Sequence, residues 1–186
     1  MAVSKKEQRR VIDKVFILLG VATMVVLLVA GGIAWKAYTF ATDQVKSELT
    51  AQKITFPPKG SPAIAALPTS DQAKMNLYAG QALTNGDQAR VYADNFIAVH
   101  LNEVAGGKTY AEVSTAALAN PSDKTLQTQK AVLFQGETLR GLLLSGAYSY
   151  WTVGMLARDA AIVFFIGAAV MFLLILAGLG RLRLTK

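Results

Sequence analysis

The sequence predicts an all-α membrane protein in which two transmembrane helices flank an external helical domain. Three observations carry this expectation. Two long uncharged apolar runs sit near the ends of the chain, helix-capping residues recur between them, and no segment sustains the alternation of apolar and polar residues that a half-buried strand requires.

The runs are residues 15–35 and 160–180, each 21 residues long. A helix rising about 1.5 Å per residue needs roughly 20 apolar residues to cross a hydrocarbon core of about 30 Å. A soluble amphipathic helix of this length carries a polar stripe, and neither run has one. The first run exceeds the apolar core of a signal peptide, about 7 to 15 residues, and leads into Trp35, Lys36 and Tyr38. Trp35 and Tyr38 fit an interfacial belt, and the chain begins at Met1, so the run reads as a retained anchor.

The flanking charge predicts the topology. Lys5, Lys6, Arg9, Arg10 and Lys14 precede the first run against Glu7 and Asp13, and Arg181, Arg183 and Lys186 follow the second with no acid. Basic residues next to a span stay in the cytoplasm, which places both termini inside and residues 36–159 outside the plasma membrane. Residues 1–14 and 181–186 are then cytoplasmic tails. Each end contributes +3 and the middle only +1 to the net charge of +7. The high net charge therefore marks topology. A nucleic-acid partner, which needs a basic patch on one folded face, is not expected. The lipid bilayer is the first expected partner.

The 124 residues of the middle segment suffice for one domain, and the chain has no cysteine. An exported domain without disulfides must be held by helix packing, by the membrane or by a partner.

Within that segment the first helix is expected to run past Trp35 through Asp43, Val45 and Glu48, since no Gly or Pro interrupts it before Pro57. Residues 54–68 hold four of the five prolines, Pro57, Pro58, Pro62 and Pro68, and read as an extended connector lying on a partner surface. Ser70 is expected to cap a helix over 71–83 that Asn85-Gly86 closes. Asp87 caps the next, in which Ala89, Ala93, Phe96, Ile97, His100, Leu101 and Val104 share a face until Gly106-Gly107 ends it. Thr109 and Glu112 have the spacing of a capping box. Asn120-Pro121 breaks the chain, and Ser122 starts a helix through Lys130 and Arg140. Residues 141–157 are uncharged and include Tyr148, Tyr150 and Trp151. They suit an interfacial helix at the membrane surface or on a neighbouring protein, with a third span or a re-entrant hairpin as the alternatives.

The inventory for chemistry is thin. A non-haem iron site needs two histidines and a carboxylate, and zinc sites draw on Cys and His. The chain has one histidine, His100, on an apolar helix face where a core residue is the plainer expectation than a ligand. Ser114 and Ser122 lack a nucleophile-elbow pattern, and Gly106-Gly107-Lys108-Thr109 lacks the earlier glycine of a phosphate loop because Asn102 stands there. Asn85-Gly86-Asp87 reads as a turn, and Glu103 and Glu112 as solvated acids. No catalytic residue, metal ligand or cofactor of its own is expected. Neither run contains an acid, base or amide, which disfavours a pump or transporter. Both contain small residues that let helices approach, Ala30-Gly31-Gly32 with Ala34 and Gly167-Ala168-Ala169. The expected contacts to partner or membrane are Trp35, Pro57, Pro58, Tyr148, Tyr150 and Trp151.

The stretch YADNFIAVHLNEVAGGKTYAEV over 92–113, and GGKTYAE within it most of all, resembles a family of small actinobacterial membrane proteins with two spans around an external helical domain. Such proteins often bear the label "aromatic ring-opening dioxygenase", which the residue inventory contradicts for this chain. The resemblance supplies no catalytic residue. Size and topology are also similar to those of the small accessory subunits of the actinobacterial cytochrome bcc-aa3 respiratory supercomplex. It implies a non-catalytic accessory subunit whose partners are integral membrane subunits of a larger complex. The alternatives are a stand-alone cell-envelope protein binding a lipid or cell-wall component, and a membrane-bound enzyme with an external cofactor that depends on His100.

Overall fold

The computed structural model of the chain describes residues 5–184. Lys186, counted above in the C-terminal charge, lies outside them. Among the described residues the regular elements are all helices, with one isolated antiparallel bridge between Thr55 and Ala82 and no strand. Two helices are long and apolar enough to cross a membrane. The first is α1 (Lys5–Gln52), which contains the whole of 15–35 and ends at Lys53, whose φ of 55° turns the chain out of the helix. The second is a continuous rod made of α7 (Lys124–Gly141), a π-helical segment (Leu142–Tyr148) and α8 (Ser149–Leu184).

Contacts divide the chain into two compact units. One holds the described residues up to Phe40 together with those from Gly154 onward, and the other is Ala41–Val153.

In the first unit the small residues sit where α1 and α8 meet. A Cβ on Gly31 would come within 2.8 Å of the Phe165 ring, one on Gly20 within 3.2 Å of Ile175 Cγ1, and one on Gly178 within 3.0 Å of Ile17 Cγ1. Gly167 faces Leu27 in the same way, whereas Gly32 faces open space. Two helices cover only one face of each other. The remaining faces present Phe16, Leu18, Val26, Val163 and Leu173 at 64–71 % exposure, an apolar surface compatible with a membrane location.

The second unit wraps α2 (Pro62–Ala65), α3 (Thr69–Asn76), α4 (Gly86–Tyr92), α5 (Ala98–Ala105) and α6 (Tyr110–Ala119) around one apolar core. Leu49 from α1, Phe56, Ile64, Met75, Leu83, Ala93 and Leu143 meet there, each nearly fully buried. A π-helical turn (Ala93–Ile97) joins α4 to α5, and its wider turn brings Asn95 onto the buried side between Ala93 and Ile97, where its amide donates to Asp71.

Several local expectations are corrected. Residues 54–68 are not one extended connector, because Phe56, Ile64 and Leu67 bury in the unit's own core. Only the first part is extended: Phe56 N donates to Gln81 O at 2.9 Å and Leu83 N to Ile54 O at 2.9 Å, after which Pro62 starts a helical turn. The next helix begins at Thr69 and stops at Asn76, since residues 81–83 leave it to pair with 54–56. Asn85 does not close that helix but opens α4: its side chain accepts from Gln88 N at 2.9 Å, the role expected of Asp87. Asp123, not Ser122, caps α7 by accepting from the Thr125 and Leu126 amides. Residues 141–157 contain no hairpin turn: they are helical and run on without a break from the residues before them into those after.

The capping box of α6 is present: Thr109 N and Oγ1 both donate to Glu112 Oε2, at 2.7 and 2.8 Å. The Thr109 backbone bond, and then the hydroxyl bond, hold the Glu112 carboxyl below its ordinary value of 4.5. Because the folded value is the lower one, this stabilisation is fully present above the unfolded carboxyl's pKa and is lost as pH falls through the folded value. Carbon-detected NMR titration of Glu112 is expected to give a midpoint below 4.5, moving up in Thr109→Ala. A midpoint unchanged by that substitution would refute the cap.

Candidate functional site

The second unit carries an apolar groove of about 280 Å³ between the end of α1 and the π-helical segment. Its floor is Val45, Leu49 and Leu143, all buried. One rim is Gln44, Glu48 and Gln52, which fall four residues apart and so stack along one face of α1. Gln44 Nε2 donates to Glu48 Oε1 at 2.9 Å, fixing the carboxylate on that rim. The other rim is Leu142, Gly146 and Tyr150, again four apart. Leu142 is 62 % exposed and Tyr150 41 %, and a Cβ on Gly146 would meet nothing within 4 Å, so the glycine leaves a notch between two large side chains.

This rim belongs to a longer stripe. Phe134, Thr138, Leu142, Gly146, Tyr150 and Val153 recur every three or four residues along the rod without a charge, and Phe134 and Val153 are 59 and 60 % exposed. The π-helical segment permits this division of faces. Leu143, Ala147 and Trp151 pack inward on the core while Leu142, Gly146 and Tyr150 stay outside. Ser149 Oγ donates to Leu144 O, five residues back, at 2.9 Å, in keeping with the wider turn.

The six expected contact residues are divided between the two units. Trp35 is 44 % exposed in the first unit, its ring edge-on to Tyr38 at 5.3 Å. Pro57 and Pro58 follow the buried Phe56, Pro57 half-buried and Pro58 exposed. Tyr148 is taken up within its own unit: Arg90 Nη1 donates to its hydroxyl at 2.7 Å and the guanidinium lies 4.9 Å from its ring centroid. Trp151 packs against Gly86, its indole N–H buried without an acceptor. Tyr150 alone among them lines the groove. Gln44, Glu48, Gln52, Leu142 and Gly146 were not singled out from sequence. Their signal was the repeated spacing of four on two segments already expected to be helical.

His100 ends a run of rings. Tyr78, Phe56, Tyr92, Phe96 and His100 stack in sequence with centroids 4.4–5.4 Å apart. Burial pushes the Tyr92 phenol above its ordinary value. His100 Nδ1 lies 2.9 Å from Phe96 O, and since a carbonyl only accepts, Nδ1 carries the proton. Among the described residues no three His, Cys, Asp or Glu side chains come together as a metal site. Groove and stripe offer shape, apolar area and one fixed carboxylate, which suits binding.

Comparison with protein-family models, with curated proteins and with solved structures finds no match to this chain.

Proposed function

We propose that this chain is a non-catalytic accessory subunit of an actinobacterial membrane complex, the cytochrome bcc-aa3 respiratory supercomplex in the first place. In this reading the two apolar helices cross the plasma membrane with both termini in the cytoplasm, and the second unit lies on the outer face against integral membrane subunits. The observation that carries it is the uncharged stripe Phe134, Leu142, Gly146, Tyr150 and Val153 beside the groove. An exposed apolar stripe of that length suits a protein contact. Its notch at Gly146 suits a partner helix entering as a ridge, and Glu48 supplies a place for a partner's cation or amide donor.

The test is purification in mild detergent through a tag on this chain. Co-elution of haem-containing subunits, read from their absorbance, is the expected result, and Gly146→Trp, which fills the notch, is expected to reduce it at least tenfold. Recovery of the tagged chain alone would overturn the proposal. Bound lipid in such a partner-free sample would favour a stand-alone envelope protein, whose ligand the groove would hold.

A further inference from the structure

We infer that the groove beside Gly146 takes the side chain of a lysine or arginine from a partner protein. The inference deepens the accessory-subunit reading and rests on it for the source of the cation. Glu48 is the only charged side chain among the residues that line the groove. Gln44 Nε2 donates to one of its oxygens, and among the described residues no lysine or arginine forms an ion pair with it. Lys46 stands two positions away on the same helix and so faces elsewhere, and Lys53 lies past the last helical residue. The groove therefore carries a carboxylate without a countercharge.

That charge decides what can cover the groove. A partner lying over the stripe takes the exposed Glu48 out of water, and the carboxylate then loses hydration that apolar contacts do not replace. An amide donor supplies a hydrogen bond but no countercharge. An ammonium or guanidinium supplies both. The floor sets the second requirement. Val45, Leu49 and Leu143 are buried and apolar, so the occupant must carry its charge on an apolar stem. Lysine and arginine have this form, with methylenes that lie along apolar surface and a head that stays at a polar rim. Tyr150 on the opposite rim adds an aromatic ring and a hydroxyl acceptor, both favourable to a cation. At about 280 Å³ the groove falls below the roughly 300–1,000 Å³ of small-molecule sites, which favours a side chain over a free ligand.

The test has two arms. In the first, the full chain in phosphatidylcholine nanodiscs is titrated with pentylammonium, pentanol or pentanoate, and the methyl NMR signals of Val45, Leu49, Leu142 and Leu143 are followed. Pentylammonium, which copies a lysine stem and head, is expected to bind about fivefold more tightly than pentanol, the upper range for a solvent-exposed ion pair, and pentanoate more weakly than either. Glu48→Gln, at an exposed position, is expected to erase that preference without disturbing the fold. Gly146→Leu fills the notch and is expected to remove the shifts from all three probes, which separates the groove from uptake into the lipid. In the second arm, Glu48→Lys is expected to reduce co-elution of partner subunits at least tenfold, since it sets like charges together in a covered site. Equal binding of pentylammonium and pentanol by wild type, or a preference that survives Glu48→Gln, would overturn the inference. A preference that holds while Glu48→Lys leaves co-elution intact would overturn the assignment to a partner's side chain in favour of a free amine. If no subunit co-elutes with wild type, the accessory-subunit reading fails and the partner's side chain fails with it, while the titration still decides the chemistry of the groove.

Discussion

Phe56→Ala is expected to destabilise the second unit by about 3–5 kcal/mol, the usual cost of deleting a fully buried aromatic ring. Phe56 is 1 % exposed, and its ring lies between Tyr78 and Tyr92 at centroid distances of 5.4 and 5.2 Å, edge-on to the latter. Its backbone also pins the chain, since its N–H donates to Gln81 O and its carbonyl accepts from Gly80 N. The cavity would therefore loosen both the turn through Pro57-Pro58 and the ring stack leading to His100. Limited trypsinolysis of the full chain in detergent reads this directly, because Lys53, Lys59 and Lys74 bracket the segment. Cleavage there should rise by two orders of magnitude or more, about 1.4 kcal/mol corresponding to each factor of ten in the open population. Leu77→Ala, at a position 68 % exposed, should change it little. If the two variants behave alike, the core has been wrongly placed.

Gly86→Ala is expected to cost about 1–3 kcal/mol or more by overpacking, although alanine is the better helix former. The added methyl would run into Cβ and Cγ of Trp151. Those atoms are tied to the backbone of the rod and cannot swing aside, unlike the far end of a flexible side chain. The strain falls on the seam between α4 and the π-helical segment, which Arg90 also clasps through Tyr148. That seam positions the Leu142–Gly146–Tyr150 rim, so the same substitution should weaken partner recovery along with stability. Gly141→Ala is the matched control: its Cβ meets nothing within 4 Å, and it should stabilise by about 0.5–1 kcal/mol. Denaturant midpoints followed by tryptophan fluorescence check both, with Trp151 itself the reporter in the affected unit.

The candidate groove was only partly legible in the sequence. Tyr150 was visible as part of an uncharged aromatic stretch, but Tyr148 and Trp151 looked equivalent to it. They part company because residues at i, i+4 and i+8 share a face: 143, 147 and 151 turn to the core, while 142, 146 and 150 turn away. Which set faces inward depends on α4 packing against the segment, a long-range contact that local spacing does not encode. The prolines misled for a related reason. Proline constrains its own φ and its predecessor, which forecast the irregular backbone at Pro57-Pro58, yet the same residue is at home at the first position of a helix, as Pro62 shows. Likewise Asn85-Gly86 fits either end of a helix by composition, and its capping direction was settled by the pairing of residues 81–83 with 54–56.

By itself the sequence determined the helical class, the two helices long and apolar enough for a membrane, the unbroken course of α1 past Trp35, the Thr109–Glu112 cap and the left-handed stop at Gly106. These rest on local terms, namely apolar length, cap geometry and the freedom of glycine at positive φ, which act within a few residues of the chain. Only the tertiary structure decided that residues 124–184 form one rod, that Phe56, Ile64 and Leu67 close on their own core, and that a groove opens beside Gly146. Those outcomes depend on which surfaces meet across long stretches of sequence, where burying one side of a helix leaves its neighbour's side exposed.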